Sequence, residues 1–352
     1  MITRKSIIEY DVNEYEANEI YLDERFLEET NGGDIDSILD LMYRKNGISP
    51  LSMTWELTNR CNFNCPFCYI HNHSNTSKEE CIEYRFEEIQ SELDKLIERG
   101  LFICYLTGGE CLLHPDFEKI YLYLKKAGVL VAVLTNAVLL TEKHISMLKK
   151  YKPYKVEVSI YGVDLTFVEN PTVAKKVLEN VLKLRNAGIN VIAKMPFNSC
   201  TEGQFEKVQS WCTEQDIDFF YSDELFNGYD GADNTIFKRN KEENTIPSEL
   251  EFGYKKVFDC SAGKYSFILS YNGKVRPCFA FYEQKAPEWG FDIEKGIVAA
   301  FDRMKNRIET IAGRRLKYCK GCEKSEQCQE CIATQIMADD TELYMKYKCM
   351  GE

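Results

Sequence analysis

The 352-residue sequence contains no run of 18 or more apolar residues, so nothing in it has the length of a membrane-spanning helix. Its opening, MITRKSIIEYDVNEYE, lacks the apolar stretch that a secretory signal requires. Basic charge is also short, with 44 Lys and Arg against 56 Asp and Glu and a formal charge of −12. Binding a nucleic-acid backbone needs clustered Lys and Arg, so that partner is disfavoured. These absences predict a soluble, cytoplasmic protein with neither a membrane nor a nucleic acid as partner. The length suffices for one barrel-sized domain with smaller parts attached.

Cysteine, by contrast, is abundant, with fifteen in the chain. Disulfide-dense chains are usually short and secreted, whereas this one is long and groups its cysteines in CxxC-type spacings, which favours metal ligands. Cys81, Cys104, Cys111, Cys200 and Cys212 lie outside any such group and are expected to be small buried residues.

From about residue 51 to 226 one unit recurs: an amphipathic helix, a glycine stop and a short apolar strand. YRFEEIQSELDKLIERG places Phe86, Ile89, Leu93, Leu96 and Ile97 on one face, stops at Gly100 and feeds LFICYL. PDFEKIYLYLKKAG stops at Gly128 before VLVAVL, and PTVAKKVLENVLKLRNAG stops at Gly188 before INVIAKM. With MTWEL, KVEVSI and IDFFY, about six strands alternate with helices, a pattern that demands a parallel sheet. Residues 227–259 are polar and weakly periodic and are expected to be a linker. Residues 260–352 hold seven cysteines and would make a poor core without metal. Residues 1–50 form a short acidic extension; its DIDSILDLMYRK can supply a helix, as a cap or a peptide-docking element.

MTWEL runs directly into Cys61, Cys65 and Cys68, a CxxxCxxC spacing followed by Tyr69. In a barrel the loops after the strands form the catalytic face. Three such thiolates suit three irons of a cubane and leave the fourth iron without a protein ligand. Structural zinc, the alternative, prefers four ligands in separated pairs. Thr107-Gly108-Gly109-Glu110 follows the second strand, Thr135-Asn136-Ala137 the third, and Ser159 ends the fourth.

On these residues the chain resembles the radical S-adenosylmethionine (SAM) superfamily over about half its length. The resemblance implies a partial (β/α)6 TIM-like barrel, an α/β fold, carrying a cysteine-rich C-terminal iron–sulfur domain and the short N-terminal extension. It implies a 4Fe-4S cluster on Cys61, Cys65 and Cys68, and SAM held by Tyr69, Thr107, Gly108, Gly109, Glu110, Asn136 and Ser159. Glu110 would face the methionine amino group. Relatives often have Pro where this chain has Cys111 and Asp where it has Tyr161; Cys111 either contacts substrate or replaces a structural proline.

The C-terminal cysteines read Cys260, then Cys278 at the end of YNGKVRPC, then Cys319-x2-Cys322-x5-Cys328-x2-Cys331, then Cys349. This resembles the SPASM extension of radical SAM peptide-modifying enzymes, which carries two auxiliary 4Fe-4S clusters. The resemblance assigns Cys319, Cys322, Cys328 and Cys349 to one cluster and Cys260, Cys278 and Cys331 to the other. Its usual last pair is spaced by three, here by two, and the gap from Cys260 to Cys278 is long. Two fully ligated cubanes need eight thiolates. One cluster therefore takes a further ligand, for which Cys200 and Cys212 are candidates, or keeps an open site able to bind a substrate thiolate. Four-thiolate zinc is the alternative for the paired CxxC groups.

Three clusters in all, with SAM, imply a peptide maturase that installs an oxidative carbon–sulfur or carbon–carbon cross-link in a ribosomally made precursor peptide. Flavodoxin or ferredoxin would supply the electron. A sulfatase-maturing, formylglycine-generating enzyme and a maturase of a peptide-derived redox cofactor are the alternatives within the resemblance. Phe279 stands after Cys278 where the former group commonly has an acid. A non-catalytic iron–sulfur electron carrier has no use for the SAM residues.

Overall fold

The computed structural model describes residues 35–70, 83–164, 171–229, 232–238, 260–281 and 286–319, the last with side chains to residue 311. All six expected strands form: β1 (Ser52–Glu56), β2 (Ile103–Thr107), β3 (Leu130–Thr135), β4 (Lys155–Ser159), β5 (Val191–Pro196) and β6 (Asp218–Ser222). They pair in sequential order and are parallel throughout. This is the α/β architecture of a partial TIM-like barrel, with β6 at one open edge. Strands covered on both faces read as near-continuous apolar runs, and LVAVLT of β3 has no exposed residue.

Each crossover is a helix: α2 (Phe86–Arg99), α3 (Phe117–Lys126), α4 (Glu142–Lys150), α5 (Pro171–Asn186) and α6 (Phe205–Glu214). In α2 the buried residues Phe86, Ile89, Leu93 and Leu96 form one stripe against the sheet. The three glycine stops, Gly100, Gly128 and Gly188, have φ of 118°, 75° and 72°, the left-handed cap that ends a helix cleanly.

Before the first strand, α1 (Ile35–Asn46) buries Ile38, Leu39 and Met42 against Leu51, Phe102, Ile103, Leu130 and Tyr265. Those partners lie at the N-terminal ends of the strands. The described part of the N-terminal extension thus closes the end of the sheet opposite the cysteine loop.

Past residue 260, where a separate unit was expected to begin, the described chain adds to the same sheet. β7 (Ser266–Leu269) lies parallel beside β1, and β8 (Lys274–Arg276) and β9 (Phe291–Asp292) follow antiparallel. The last helix, α7 (Ile297–Cys319), is tied to α2. Glu92 accepts the Ile297 N–H at 2.8 Å, a helix cap supplied from another element. Arg99 grips Asp302 with both terminal nitrogens, at 2.7 and 2.5 Å. Among the described residues no helix is long and apolar enough to cross a membrane.

Candidate active site

The strand register levels Glu56 of β1 with Thr107 of β2, and Thr135 of β3 with Val158 of β4. The residues singled out in the sequence therefore gather at the C-terminal ends of four adjacent strands. Beyond the strands, the chain leading into Cys61 stays paired with the Thr107–Glu110 turn. Leu57 N–H donates to Thr107 O at 2.9 Å, Gly109 N–H to Thr58 O at 2.7 Å, and Glu110 N–H to Arg60 O at 2.8 Å. A Cβ on Gly108 would sit 2.4 Å from Thr58 O, and one on Gly109 2.3 Å from Arg60 O. Both neighbours are backbone, so only glycine permits this approach. The two glycines seat the cysteine loop on β2.

Within the loop, Phe63 N–H donates to Cys61 Sγ at 3.4 Å and Cys68 N–H to Cys65 O at 3.1 Å. Asn136 Nδ2 and Tyr161 Oη each lie 4.0 Å from a sulfur, those of Cys61 and Cys65 respectively. Burial pushes the Cys61 thiol up to about 11. Burial, then the negative charges of Cys68 and Cys61, pushes Cys65 well above the thiol range. Cys65 thus lies close enough to Cys61 and Cys68 to feel both, and metal must displace the thiol protons to bind. Among the described residues no three His, Cys, Asp or Glu side chains converge on one point as a single metal ion requires. A cubane takes each thiolate on a different iron. Three neighbouring thiols, one of them with a backbone donor on its sulfur, fit that requirement.

Glu110 is buried and its carboxylate is engaged inside the barrel. Oε2 accepts the Asn136 N–H at 2.8 Å; Oε1 accepts the Thr135 hydroxyl at 2.7 Å and the Leu112 N–H at 3.2 Å. Burial raises its carboxyl against the pull of these bonds. Asn136 in turn donates to Asn62 Oδ1 at 2.8 Å, so the end of β3 reaches the cysteine loop. Ala137 takes φ of 61°, a left-handed position awkward for a residue with a Cβ. Its N–H donates to Thr135 Oγ1 at 2.9 Å and its carbonyl accepts from Asn180 at 2.7 Å, which holds it there. Ser159, ending β4, hydrogen-bonds Tyr161.

Tyr69 stacks edge-on against Tyr229 and Phe279, at 5.5 and 5.0 Å between centroids. Its carbonyl accepts the Tyr229 N–H at 2.7 Å. This joins the segment after Cys68 to the one after Cys278. Under these rings lies a group that sequence reasoning missed. Glu56 is fully buried; its Oε1 accepts the Tyr229 hydroxyl at 3.1 Å, and its Oε2 has no hydrogen-bond partner. The Arg276 guanidinium lies 4.9 Å from the Tyr229 ring centre and donates to Ser270. Burial pushes Glu56 up to about 7, against the opposing pull of Arg276 and neighbouring hydroxyls. No local pattern links residues 173 positions apart, such as Glu56 and Tyr229.

Cys104, Cys111 and Cys212 are buried in the main core as expected. Cys111 Sγ lies 3.3 Å from Leu134 O and 3.7 Å from Glu110 Oε1. Cys200, expected to be buried, is exposed, because it lies in the turn after β5 rather than in a helix. Of the two candidate extra ligands, Cys212 is therefore enclosed by the core and Cys200 is accessible. Cys260 and Cys278 are half-buried, and Cys319 ends α7. Cys81, Cys322, Cys328, Cys331 and Cys349 lie outside the described residues.

Residues 55–207 match the family model described as the Radical SAM superfamily. The chain is 27% identical over 259 residues to the antilisterial bacteriocin subtilosin biosynthesis protein AlbA of Bacillus subtilis, covering 66% of this chain and 55% of AlbA. It is 27% identical over 183 residues to the sporulation killing factor maturation protein SkfB of the same organism, covering 51% and 44% of the two chains. The chain thus spans about half the length of these relatives. In fold it is similar to Streptococcus suis SuiB bound to precursor peptide SuiA, with a TM-score of 0.60, 16% identity and coverage of 94% and 83%. It is also similar to anSMEcpe with bound AdoMet and a peptide, with a TM-score of 0.56, 16% identity and coverage of 83% and 91%.

Proposed function

Because residues 55–207 of this chain are a radical SAM domain, whose chemistry uses SAM and a 4Fe-4S cluster, we propose that it is a peptide maturase. It installs a carbon–sulfur or carbon–carbon cross-link in a ribosomally synthesised precursor peptide. The observation that carries this reading is the gathering of the cysteine loop, Thr107–Glu110, Asn136 and Ser159 at one end of four adjacent parallel strands. The likeness to AlbA and SkfB, named for a bacteriocin and a killing factor, supports a peptide as substrate.

Cys61, Cys65 and Cys68 would hold the cluster, and the chemistry that cluster and SAM would supply is one-electron, radical-generating cleavage of SAM. Thr107, Gly108, Gly109, Glu110, Asn136, Ser159 and Tyr69 form the SAM pocket. In it Gly108 and Gly109 fix the loop, and Glu110 holds Asn136 against Asn62. Cys260, Cys278, Cys319, Cys322, Cys328, Cys331 and Cys349 hold two auxiliary clusters in residues 260–352. These would supply a sink for the electron that an oxidative bond formation releases, and flavodoxin or ferredoxin would be the external electron donor.

Formylglycine formation is the second reading. Against it stands Phe279, whose ring packs on Tyr69 and Phe226 and offers no base. The test is co-expression with candidate precursor peptides followed by tandem mass spectrometry and an aldehyde-reactive probe. Loss of two hydrogens with two residues joined and no aldehyde supports the maturase. An aldehyde supports formylglycine formation, and absence of any SAM cleavage leaves an electron carrier.

A further inference from the structure

Tyr161 stands over the cysteine loop without being part of it. Its backbone is fixed by the barrel: the preceding Ile160 N–H donates to Lys194 O of β5 at 2.9 Å, and Val163 N–H donates to Gln204 at 3.3 Å. Its ring meets Phe63 and Phe67, the two buried aromatic residues that alternate with the cysteines, at 6.3 and 6.0 Å between centroids. This places the phenol oxygen 4.0 Å from Cys65 Sγ, with the Ser159 side chain also hydrogen-bonded to it.

A phenol has one proton to donate and can accept another bond. With a protonated thiol, Cys65 is the donor of the pair. A ligating thiolate has no proton, so the direction reverses, with Ser159 donating to the phenol and the phenol to sulfur. Hydrogen bonds to ligand sulfur withdraw charge from it and favour the more negative, reduced cluster.

Resting on the reading that Cys61, Cys65 and Cys68 hold a cluster, we propose that Tyr161 sets its reduction potential by donating a hydrogen bond to Cys65. Tyr161 is a positioning and tuning residue that acts through the cysteine.

The test is EPR-monitored potentiometric titration of the reconstituted full chain. The relevant signal is the one that responds to added SAM and is lost when all three cysteines are replaced by Ala. Tyr161→Phe keeps the ring between Phe63 and Phe67 and removes only the hydroxyl. At a fixed potential its ratio of reduced to oxidised cluster is expected to fall by up to about tenfold, or ~59 mV for a one-electron couple. Tyr161→His returns a donor and recovers part of the shift. An unchanged potential in a Phe variant of full iron content overturns the proposal. So does a Phe variant that holds no cluster while Tyr161→His and Tyr161→Leu share one potential. A wild-type chain without the triad-dependent signal sinks the underlying cluster reading instead, so the two failures are distinguishable.

Discussion

Glu110 and Asn136 are joined by a buried hydrogen bond of 2.8 Å from the Asn136 backbone N–H to the carboxylate. Through it the turn after β2 fixes the end of β3, and the Asn136 side chain reaches Asn62 beside Cys61. A carboxylate that receives a backbone N–H on each oxygen and a hydroxyl has no isosteric substitute. In Glu110→Gln the amide presents hydrogens to at least one of those donors. The variant is expected to lose about 2–3 kcal/mol of stability and to bind SAM more weakly. Urea unfolding and equilibrium dialysis with labelled SAM check this; unchanged values in both would show that the carboxylate is replaceable.

Gly109 packs its α-carbon against the Arg60 carbonyl, so Gly109→Ala must displace the backbone that leads into Cys61. Iron content is expected to fall by as much as one cluster per chain while far-UV circular dichroism stays unchanged, since the strand cores are untouched. Gly203 has nothing within 4 Å of an added Cβ, and Gly203→Ala is the matching control with full iron content.

Glu56 makes stability depend on pH. Its folded value of about 7 lies above the ordinary glutamate value of ~4.3, so the folded chain binds more protons than the unfolded one. The protonated carboxyl's contribution is complete below ~pH 4.3 and is lost as pH rises through about 7. Between pH 5.5 and 8 the loss is roughly 2 kcal/mol. Urea titrations across that range are expected to show the decline in the wild-type chain and to show it flattened in Glu56→Gln. Parallel curves for the two would assign the decline to another group.

The strands were legible because both faces of a parallel sheet are buried: LFICYL and VLVAVL read as unbroken apolar runs and became β2 and β3. The cysteine triad was legible from spacing alone. β8 and β9, of three and two residues, are too short to carry a period. The Glu56, Tyr229 and Arg276 group exists only once β7 lies beside β1, a pairing between segments more than two hundred positions apart. Gly108 and Gly109 were visible as a motif, but their backbone contact with Thr58 and Arg60 required coordinates. Tyr161 was visible only as a departure from the resemblance, and its approach to Cys65 is tertiary.

The most direct test of the account is SAM cleavage by the reconstituted, dithionite-reduced chain, compared with a chain in which Cys61, Cys65 and Cys68 are all replaced by Ala. The account predicts 5′-deoxyadenosine and methionine from the wild type. It predicts neither from the triple variant, which should contain four fewer irons per chain, one 4Fe-4S cluster's worth. Equal product from both chains, or equal iron in both, would contradict it.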